Sequence, residues 1–179
     1  MKKVLKFAPL CALLLALVAM ILLLATNGLT YAGEVGGQKL TGFYSASAVM
    51  FGQGKYQAAA AGVGSLTVNF DGKGAWNAVL AFIFVIVGLV ALLVSSLMVF
   101  VKIKVLEKFS GLIALVAAGL LLVAGIFVFF TKGAFSAAND YGEMQNWGLG
   151  AGWVVAAILS ILAGVVSAFP AVLALVEKK

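Results

Sequence analysis

Ala75–Val101 reads AWNAVLAFIFVIVGLVALLVSSLMVFV, and these 27 residues include no charged side chain. Three further stretches share this property: Phe7–Ala25, Phe109–Thr131 and Trp147–Val176. A bilayer core about 30 Å thick is crossed by roughly 20 apolar helical residues. Each stretch therefore predicts a transmembrane helix, and we place the spans at about 7–26, 75–101, 109–131 and 147–176.

The overall composition agrees with a membrane protein. Apolar residues make up 64% of the 179-residue chain and charged residues only 10%, far from the balance of a soluble domain. Four spans and their connections use the whole chain. We therefore predict one membrane domain, residues 1–179, without a separate soluble module.

Lysine is distributed unevenly between the predicted loops. The two termini and the segment 102–108 together hold eight lysines against two glutamates, whereas the segments 27–74 and 132–146 hold four lysines against four acidic residues. The whole net charge of +6 therefore lies on one side of a four-span protein. By the positive-inside rule that side is cytoplasmic, so 27–74 becomes the first extracellular segment and 132–146 the second outer loop. The charge indicates topology rather than nucleic-acid binding.

The expected location is the plasma membrane, with both termini cytoplasmic and the lipid bilayer as the immediate partner. All twelve basic residues are lysines, and the lack of arginine suggests an AT-rich, bacterial genome. The first apolar run also fits a secretory signal peptide, with cleavage after Ala32. Its length exceeds the usual 7–15 residues of such a segment, which favours an uncleaved first helix.

The first outer segment resembles a folded sheet more than a disordered loop. Ser65–Phe70 alternates with period two, as a half-buried strand does, and Lys39–Phe51 alternates more loosely. Glycine-rich turn signals bound both stretches. We predict a small antiparallel extracellular β-sheet. It needs support from the helices or from another subunit, because an isolated hairpin is only marginally stable.

Small residues recur along the apolar runs at spacings that suit helix packing. In the fourth run they occupy every fourth position, and in the third run every seventh. Small-residue rows allow close helix approach in lipid, and a seven-residue repeat favours a left-handed seam. The fold class is thus a mainly α membrane protein, a left-handed four-transmembrane-helix bundle with the small sheet. The predicted packing residues are Gly148, Gly152, Ala156, Ser160, Gly164, Ala168, Gly111, Ala118 and Gly125. Most such rows serve packing within one chain, and one of them is available to another subunit.

Reactive side chains are scarce. Histidine is lacking, Cys11 is the one cysteine, and the four runs hold no charge. Ionisable residues within the membrane usually mark proton and ion pathways, so a pump or coupled transporter is disfavoured. No nucleophile–base pair can be assembled, and we predict neither enzymatic activity nor a cofactor or metal. The segment Asn139–Glu143 offers oxygen ligands for Ca²⁺ together with Asp71 or Glu34, but a solvated turn is the preferred interpretation.

The order of these features resembles the claudin and peripheral-myelin-protein tetraspan superfamily. The shared features are four spans, cytoplasmic termini, a long first outer segment with strand character and a very short inner loop. The family's first-loop signature, a Trp followed by Gly-Leu-Trp and a cysteine pair, is missing, because residues 26–74 contain neither Trp nor Cys. The resemblance is one of layout, and common descent and convergence both account for it. It implies lateral self-assembly in the membrane through the outer sheet.

Three functions are consistent with the sequence. The leading hypothesis is a non-enzymatic homo-oligomer that assembles through the outer sheet and the helix-packing rows, as a membrane scaffold or assembly subunit. The alternatives are a subunit of an oligomeric large-pore channel and an accessory subunit bound to other membrane proteins. Apolar and aromatic residues of the first outer segment are the expected subunit contacts: Phe43, Tyr44, Phe51, Leu66, Val68 and Phe70.

Overall fold

The computed structural model describes residues 7–101 and 104–176, and within them the protein is mainly helical with one antiparallel sheet. Eleven elements follow one another along the described chain: α1 Ala8–Ala25, β1 Leu29–Val35, β2 Gln38–Tyr44, α2 Ala46–Phe51, β3 Gln53–Ala60, β4 Gly64–Asp71, α3 Trp76–Val101, α4 Lys104–Phe129, α5 Thr131–Ala138, β5 Trp147–Leu149 and α6 Ala151–Val176. The lysines at positions 2, 3, 6, 102, 178 and 179, on which the predicted charge asymmetry depends, lie outside the described residues.

Four helices of the described chain are long and apolar enough to cross a membrane. Their apolar parts are Ala8–Ala25, Trp76–Met98, Phe109–Phe129 and Ala151–Pro170, with 18, 23, 21 and 20 residues. At about 1.5 Å per residue these parts are roughly 27–35 Å long, which matches a hydrocarbon core of about 30 Å. The prediction of a multi-pass membrane protein with four membrane-capable helices is confirmed.

The chain forms two compact units. The first comprises Met1–Met20, Phe82–Ile126 and Ala157–Lys179, and the second comprises Ile21–Ala81 and Phe127–Ala156. Each of the four long helices contributes residues to both units, while every strand, α2 and α5 belong to the second unit. The assignment of residues 1–179 to a single membrane domain stays a prediction.

The sheet has five antiparallel strands in the order β4-β3-β2-β1-β5. β1 and β2 pair from Leu29↔Tyr44 to Val35↔Gln38, so a two-residue turn, Gly36-Gly37, connects them. Both glycines have positive φ angles, 60° and 79°, which the tight hairpin turn requires and which glycine adopts without steric cost. The small antiparallel sheet is confirmed, and it is larger than the two alternating stretches predict.

The strand predicted over Lys39–Phe51 is wrong in its second half. Strand β2 ends at Tyr44, and the second half of Lys39–Phe51 is the helix α2. The Ser45 side chain accepts a hydrogen bond from the backbone N–H of Ala48, and Gly52 ends the helix in the left-handed conformation at φ 76°. Local capping at both ends therefore prevails over a loose period-two pattern.

The third and fourth apolar runs also differ from simple spans at their ends. Residues 147–149 form β5, which pairs with β1, and helix α6 begins only at Ala151. The segment 132–146, predicted as a loop, includes most of α5. Gly148 consequently lies on a strand, outside the helical row of small residues in which the sequence places it.

In the first unit, glycines lie where two helices approach closely. A Cβ atom at Gly164 of α6 would lie 2.9 Å from the carbonyl oxygen of Ala118, and one at Gly125 of α4 would lie 2.7 Å from that of Ala157. By contrast, a Cβ atom at Gly111 would meet no atom within 4 Å. Ala118 and Ser160 are buried, and Ala168 is half-buried.

Alanine at the two close-contact glycines is expected to destabilise the protein. Gly164→Ala and Gly125→Ala should each cost about 1–3 kcal/mol, because the obstructing atoms at each site include a backbone oxygen that cannot rotate away. Gly119→Ala is the matched control, because its Cβ would meet no atom within 4 Å and alanine is the better helix former by about 1 kcal/mol. Thermal unfolding in a mild detergent measures the difference. Equal stability of all three variants would contradict the assignment of Gly125 and Gly164 to tight helix contacts.

In the second unit, the helix ends are tied to the sheet and to one another. The indole N–H of the buried Trp153 donates to the carbonyl oxygen of Leu23 at 3.1 Å. The backbone N–H of Gly150 donates to the carbonyl oxygen of Gly28 at 3.0 Å. Position 152 requires glycine, because a Cβ atom there would collide with the side chain of Thr26. Ala156 is also fully buried.

Asn139, the residue that follows α5, holds the segment between β4 and α3. The side chain of Asn139 accepts from the backbone N–H of Lys73 at 2.9 Å and donates to the carbonyl oxygen of Lys73 at 2.8 Å. This pair of hydrogen bonds imitates a strand pairing. It fixes the position at which the sheet ends and α3 begins.

Candidate functional site

The strand register gives the sheet one apolar face. Alternate residues of neighbouring strands lie directly opposite one another, as in Tyr44↔Tyr56 and Tyr56↔Val68. Because directly opposite residues share a face, large side chains from all five strands meet there: Leu29, Tyr31, Leu40, Tyr44, Tyr56, Leu66, Val68, Phe70, Trp147 and Leu149. The opposite face is mostly polar.

Tyr44 is the centre of an aromatic cluster on that face. The other members of the aromatic cluster are Tyr31, Tyr56, Phe70, Phe135 and Trp147. The Tyr44 ring centroid lies 4.9 Å from that of Tyr56 and 5.1 Å from that of Trp147. Such pairs contribute about 0.5–1.5 kcal/mol each beyond their buried area. The aromatic cluster thereby joins β5 and α5 to the four strands β1–β4.

Gly42 lies beside the aromatic cluster. It lies opposite Ala58, and a Cβ atom there would lie 3.7 Å from the Tyr56 hydroxyl oxygen and 3.8 Å from the Trp147 ring. The same Cβ would be only 3.1 Å from the carbonyl oxygen of Gln57. A side chain at this position would therefore be crowded by the β3 backbone, whereas the two rings lie at ordinary contact distance.

Burial raises the pKa of the Tyr44 hydroxyl well above its usual range, and a hydrogen bond with Tyr141 acts in the same direction. Loss of the proton would leave a phenolate in a poorly hydrated environment. Tyr44 is therefore a neutral hydrogen-bonding group throughout the physiological pH range.

The structure separates the six expected subunit contacts into two groups. Tyr44 is 8% exposed and lies within the aromatic cluster, and Phe70 is half-buried against Tyr44 and Phe135. Phe43 is half-buried on the opposite, polar face. Three side chains are exposed: Phe51 on α2 and the β4 residues Leu66 and Val68. This second group is the most accessible to another molecule.

Strand β4 forms one edge of the sheet. Its inner side pairs with β3 along the full eight residues, from Gln53↔Asp71 to Ala60↔Gly64. Within residues 7–101 and 104–176, no strand pairs with its outer side. The β4 edge therefore presents unpaired backbone groups next to the exposed side chains of Leu66 and Val68.

Sequence reasoning missed much of this site. Strand β3 is rich in Gly and Ala, so it lacks the apolar alternation by which strands are recognised, and the alternation of Leu29, Tyr31 and Val35 in β1 is interrupted by Gly33. One signal was available, because Tyr31, Tyr44 and Tyr56 follow one another at intervals of 13 and 12 residues. That spacing fits consecutive hairpins of seven- to eight-residue strands that bring the three rings to one face.

Acidic residues do not form a metal centre in the part of the chain that the structure describes. No group of three or more His, Cys, Asp or Glu side chains comes together among those residues. Asp140 and Glu143 are exposed on the turns after α5.

No protein-family model matches the sequence, and no curated protein matches it either. Four membrane-capable helices and a small antiparallel sheet are consistent with a tetraspan layout. The closer relationship to claudin-like proteins stays a prediction.

Proposed function

We propose that this is a non-enzymatic membrane protein that associates with copies of itself through the β4 edge, as a membrane scaffold or an assembly subunit. The observation that carries the proposal is the chemistry of that edge. Proteins that avoid edge-to-edge pairing place Lys, Pro or bulges on their edge strands. The sequence of β4, GSLTVNFD, has neither Lys nor Pro, and its one charge is at the last residue, Asp71.

Pairing of two β4 edges suits a closed dimer. A two-fold axis perpendicular to the sheet relates antiparallel strands and keeps the same face of each copy on the same side. Each residue then lies opposite a residue whose side chain is on the same face of the sheet, for example Leu66 opposite Val68 of the second copy. The apolar face continues across both copies, and the joined sheet has ten strands.

The other edge of the sheet is a poorer contact. Strand β5 has three residues against the eight of β4, so a β4–β5 contact would form fewer backbone hydrogen bonds. Repeated β4–β5 contacts would produce a ring or an open array rather than a dimer. The helical rows of small residues offer a second possible contact between copies. Gly111 in α4 belongs to one of these rows, and a Cβ atom there would meet no atom within 4 Å.

The proposal includes an orientation. We infer a left-handed helix bundle with the sheet on the extracellular side and both termini in the cytoplasm, in a claudin-like layout. The lysine asymmetry of the sequence supports this orientation. In a claudin-like protein the extracellular sheet is also the expected site of lateral self-assembly.

Cysteine labelling tests the orientation. In a Cys11→Ala background, Ser47→Cys should react with an impermeant thiol reagent in intact cells, because Ser47 is exposed on α2. Lys104→Cys should react only after the membrane is permeabilised. The reverse pattern would overturn the orientation without affecting the β4 contact.

The size of the assembly in a mild detergent tests the proposed function itself. Native mass spectrometry should give a dimer or a multiple of dimers for the wild-type protein. A closed ring of odd order would support the large-pore channel subunit instead. A monomer at all concentrations would contradict self-association and support an accessory subunit of a larger complex.

A further inference from the structure

The aromatic cluster borders a cavity of about 540 Å³ in the second unit. The cavity is lined by Tyr44, Tyr56, Tyr141, Glu143, Met144, Gln145 and Trp147. Four of these seven residues are aromatic, and Glu143 is the only charged one. The cavity is open on one side, where Tyr141, Glu143 and Gln145 are exposed.

Three rings form a continuous wall of this cavity. The centroids of Tyr44, Tyr56 and Trp147 lie 4.9, 5.1 and 6.2 Å apart, with interplanar angles of 36–37°. The rings contact one another, so a ligand cannot enter between them. It would lie against the wall, beside the half-buried rings of Tyr56 and Trp147, because Tyr44 is itself buried.

The combination of π faces and one carboxylate is suited to a cation. The face of Trp or Tyr attracts a cation that lies within about 6 Å of the ring centroid, and Glu143 adds an opposite charge at the rim. No lysine is among the described residues that line the cavity. Lys55 lies opposite Asn69 on the polar face of the sheet.

We propose that this cavity binds a quaternary ammonium group. Such a cation has no N–H donors, so it does not need the dense set of hydrogen-bond acceptors that a lysine ammonium or a guanidinium would need. Its methyl groups match the apolar ring faces and the buried Met144, and its charge is balanced by Glu143. Free choline-like molecules and phosphocholine lipid headgroups share this chemistry.

Binding can be measured with the full-length protein in a maltoside detergent. Titration with choline or tetramethylammonium, followed by isothermal calorimetry or ligand-observed NMR, should show saturable binding that an equal concentration of sodium does not reproduce. We expect Glu143→Gln to weaken binding about five- to tenfold, in line with one lost charge contact. Asp140→Asn is the matched control, because Asp140 is an exposed carboxylate nearby that does not line this cavity.

Substitutions of one ring test the aromatic wall. Tyr56→Leu should weaken binding at least about fivefold, whereas Tyr56→Phe keeps the π face and should bind as the wild-type protein does. Thermal unfolding identifies any variant that has lost its fold. Because Glu143 is exposed, we expect Glu143→Gln to keep the fold, so it tests the proposal independently of the ring substitutions. Lack of saturable binding to the wild-type protein, or equal binding by Glu143→Gln and Asp140→Asn, would overturn the proposal.

Two membrane compositions distinguish the sources of the ligand. If a lipid headgroup occupies the cavity, nanodiscs of phosphatidylcholine should abolish the binding of added choline, whereas nanodiscs of phosphatidylglycerol should not. If the ligand is a free molecule, choline should bind equally in both. Neither result bears on the β4 edge, so this proposal and the proposed self-association can fail separately.

Discussion

The double variant Leu66→Lys/Val68→Lys is expected to convert the assembled protein into a monomer. In the proposed dimer these side chains lie opposite their counterparts across the two-fold axis, so the substitutions bring like charges together and remove the apolar contact. We expect self-association to weaken at least about 100-fold, which corresponds to about 2.7 kcal/mol. Native mass spectrometry over a range of protein concentrations measures the change.

The fold should survive these substitutions. Leu66 is 66% exposed and Val68 is 40% exposed, and substitutions at exposed positions usually change the free energy of unfolding by less than about 0.5 kcal/mol. The matched control is Gln38→Lys/Thr41→Lys, which adds the same charge to two exposed positions of the interior strand β2. If both double variants assemble like the wild-type protein, the contact between copies lies elsewhere, and the helical rows of small residues become the better candidates.

Trp153→Ala should cause the largest loss of stability of any single substitution considered for this protein. The side chain is fully buried, and its indole N–H donates to the Leu23 carbonyl oxygen. Truncation of a buried tryptophan costs about 3–5 kcal/mol through lost contacts and the cavity left behind. Trp153→Phe keeps most of the volume but leaves that carbonyl oxygen without its donor, so we expect a smaller loss of about 1–3 kcal/mol.

Trp76 provides the control for this experiment. It is the first residue of α3, is 63% exposed, and its ring contacts Phe127 at 5.9 Å between centroids. Trp76→Ala should cost no more than about 1.5 kcal/mol, the strength of one aromatic pair. Thermal unfolding monitored by circular dichroism gives both values. Similar losses for Trp76→Ala and Trp153→Ala would contradict the different burial of the two side chains.

The four long helices were predictable because lipid imposes a simple rule. A segment such as Trp76–Met98 must be long, apolar and uncharged to cross a membrane, and that requirement is visible in a single sequence. Strand β4 was predictable for a similar reason, because Leu66, Val68 and Phe70 alternate with polar residues. Both patterns are local, so they do not depend on knowing the partner element.

The remaining elements depend on contacts between distant residues. Strand β5 has only three residues, and its conformation is determined by pairing with β1, more than 100 residues earlier in the sequence. The aromatic cluster likewise requires Phe135 of α5 to meet Tyr44 of β2. Helix α2 is the exception, because its Ser45 cap and Gly52 end are local signals that the loose alternation of the surrounding residues concealed.

Disulfide cross-linking along the β4 edge tests self-association through that edge most directly. Single cysteines are introduced at positions 66, 67, 68 and 69 in a Cys11→Ala background. In a two-fold antiparallel pairing one residue lies opposite itself at a Cα–Cα distance of about 4.5–5.5 Å, which suits a disulfide. We expect cross-linked dimers to peak at one of these four positions and to decline on either side of it. A cysteine at the exposed Gln38 position, in the same background, is the control. Equal or absent cross-linking at all five positions would contradict self-association through the β4 edge.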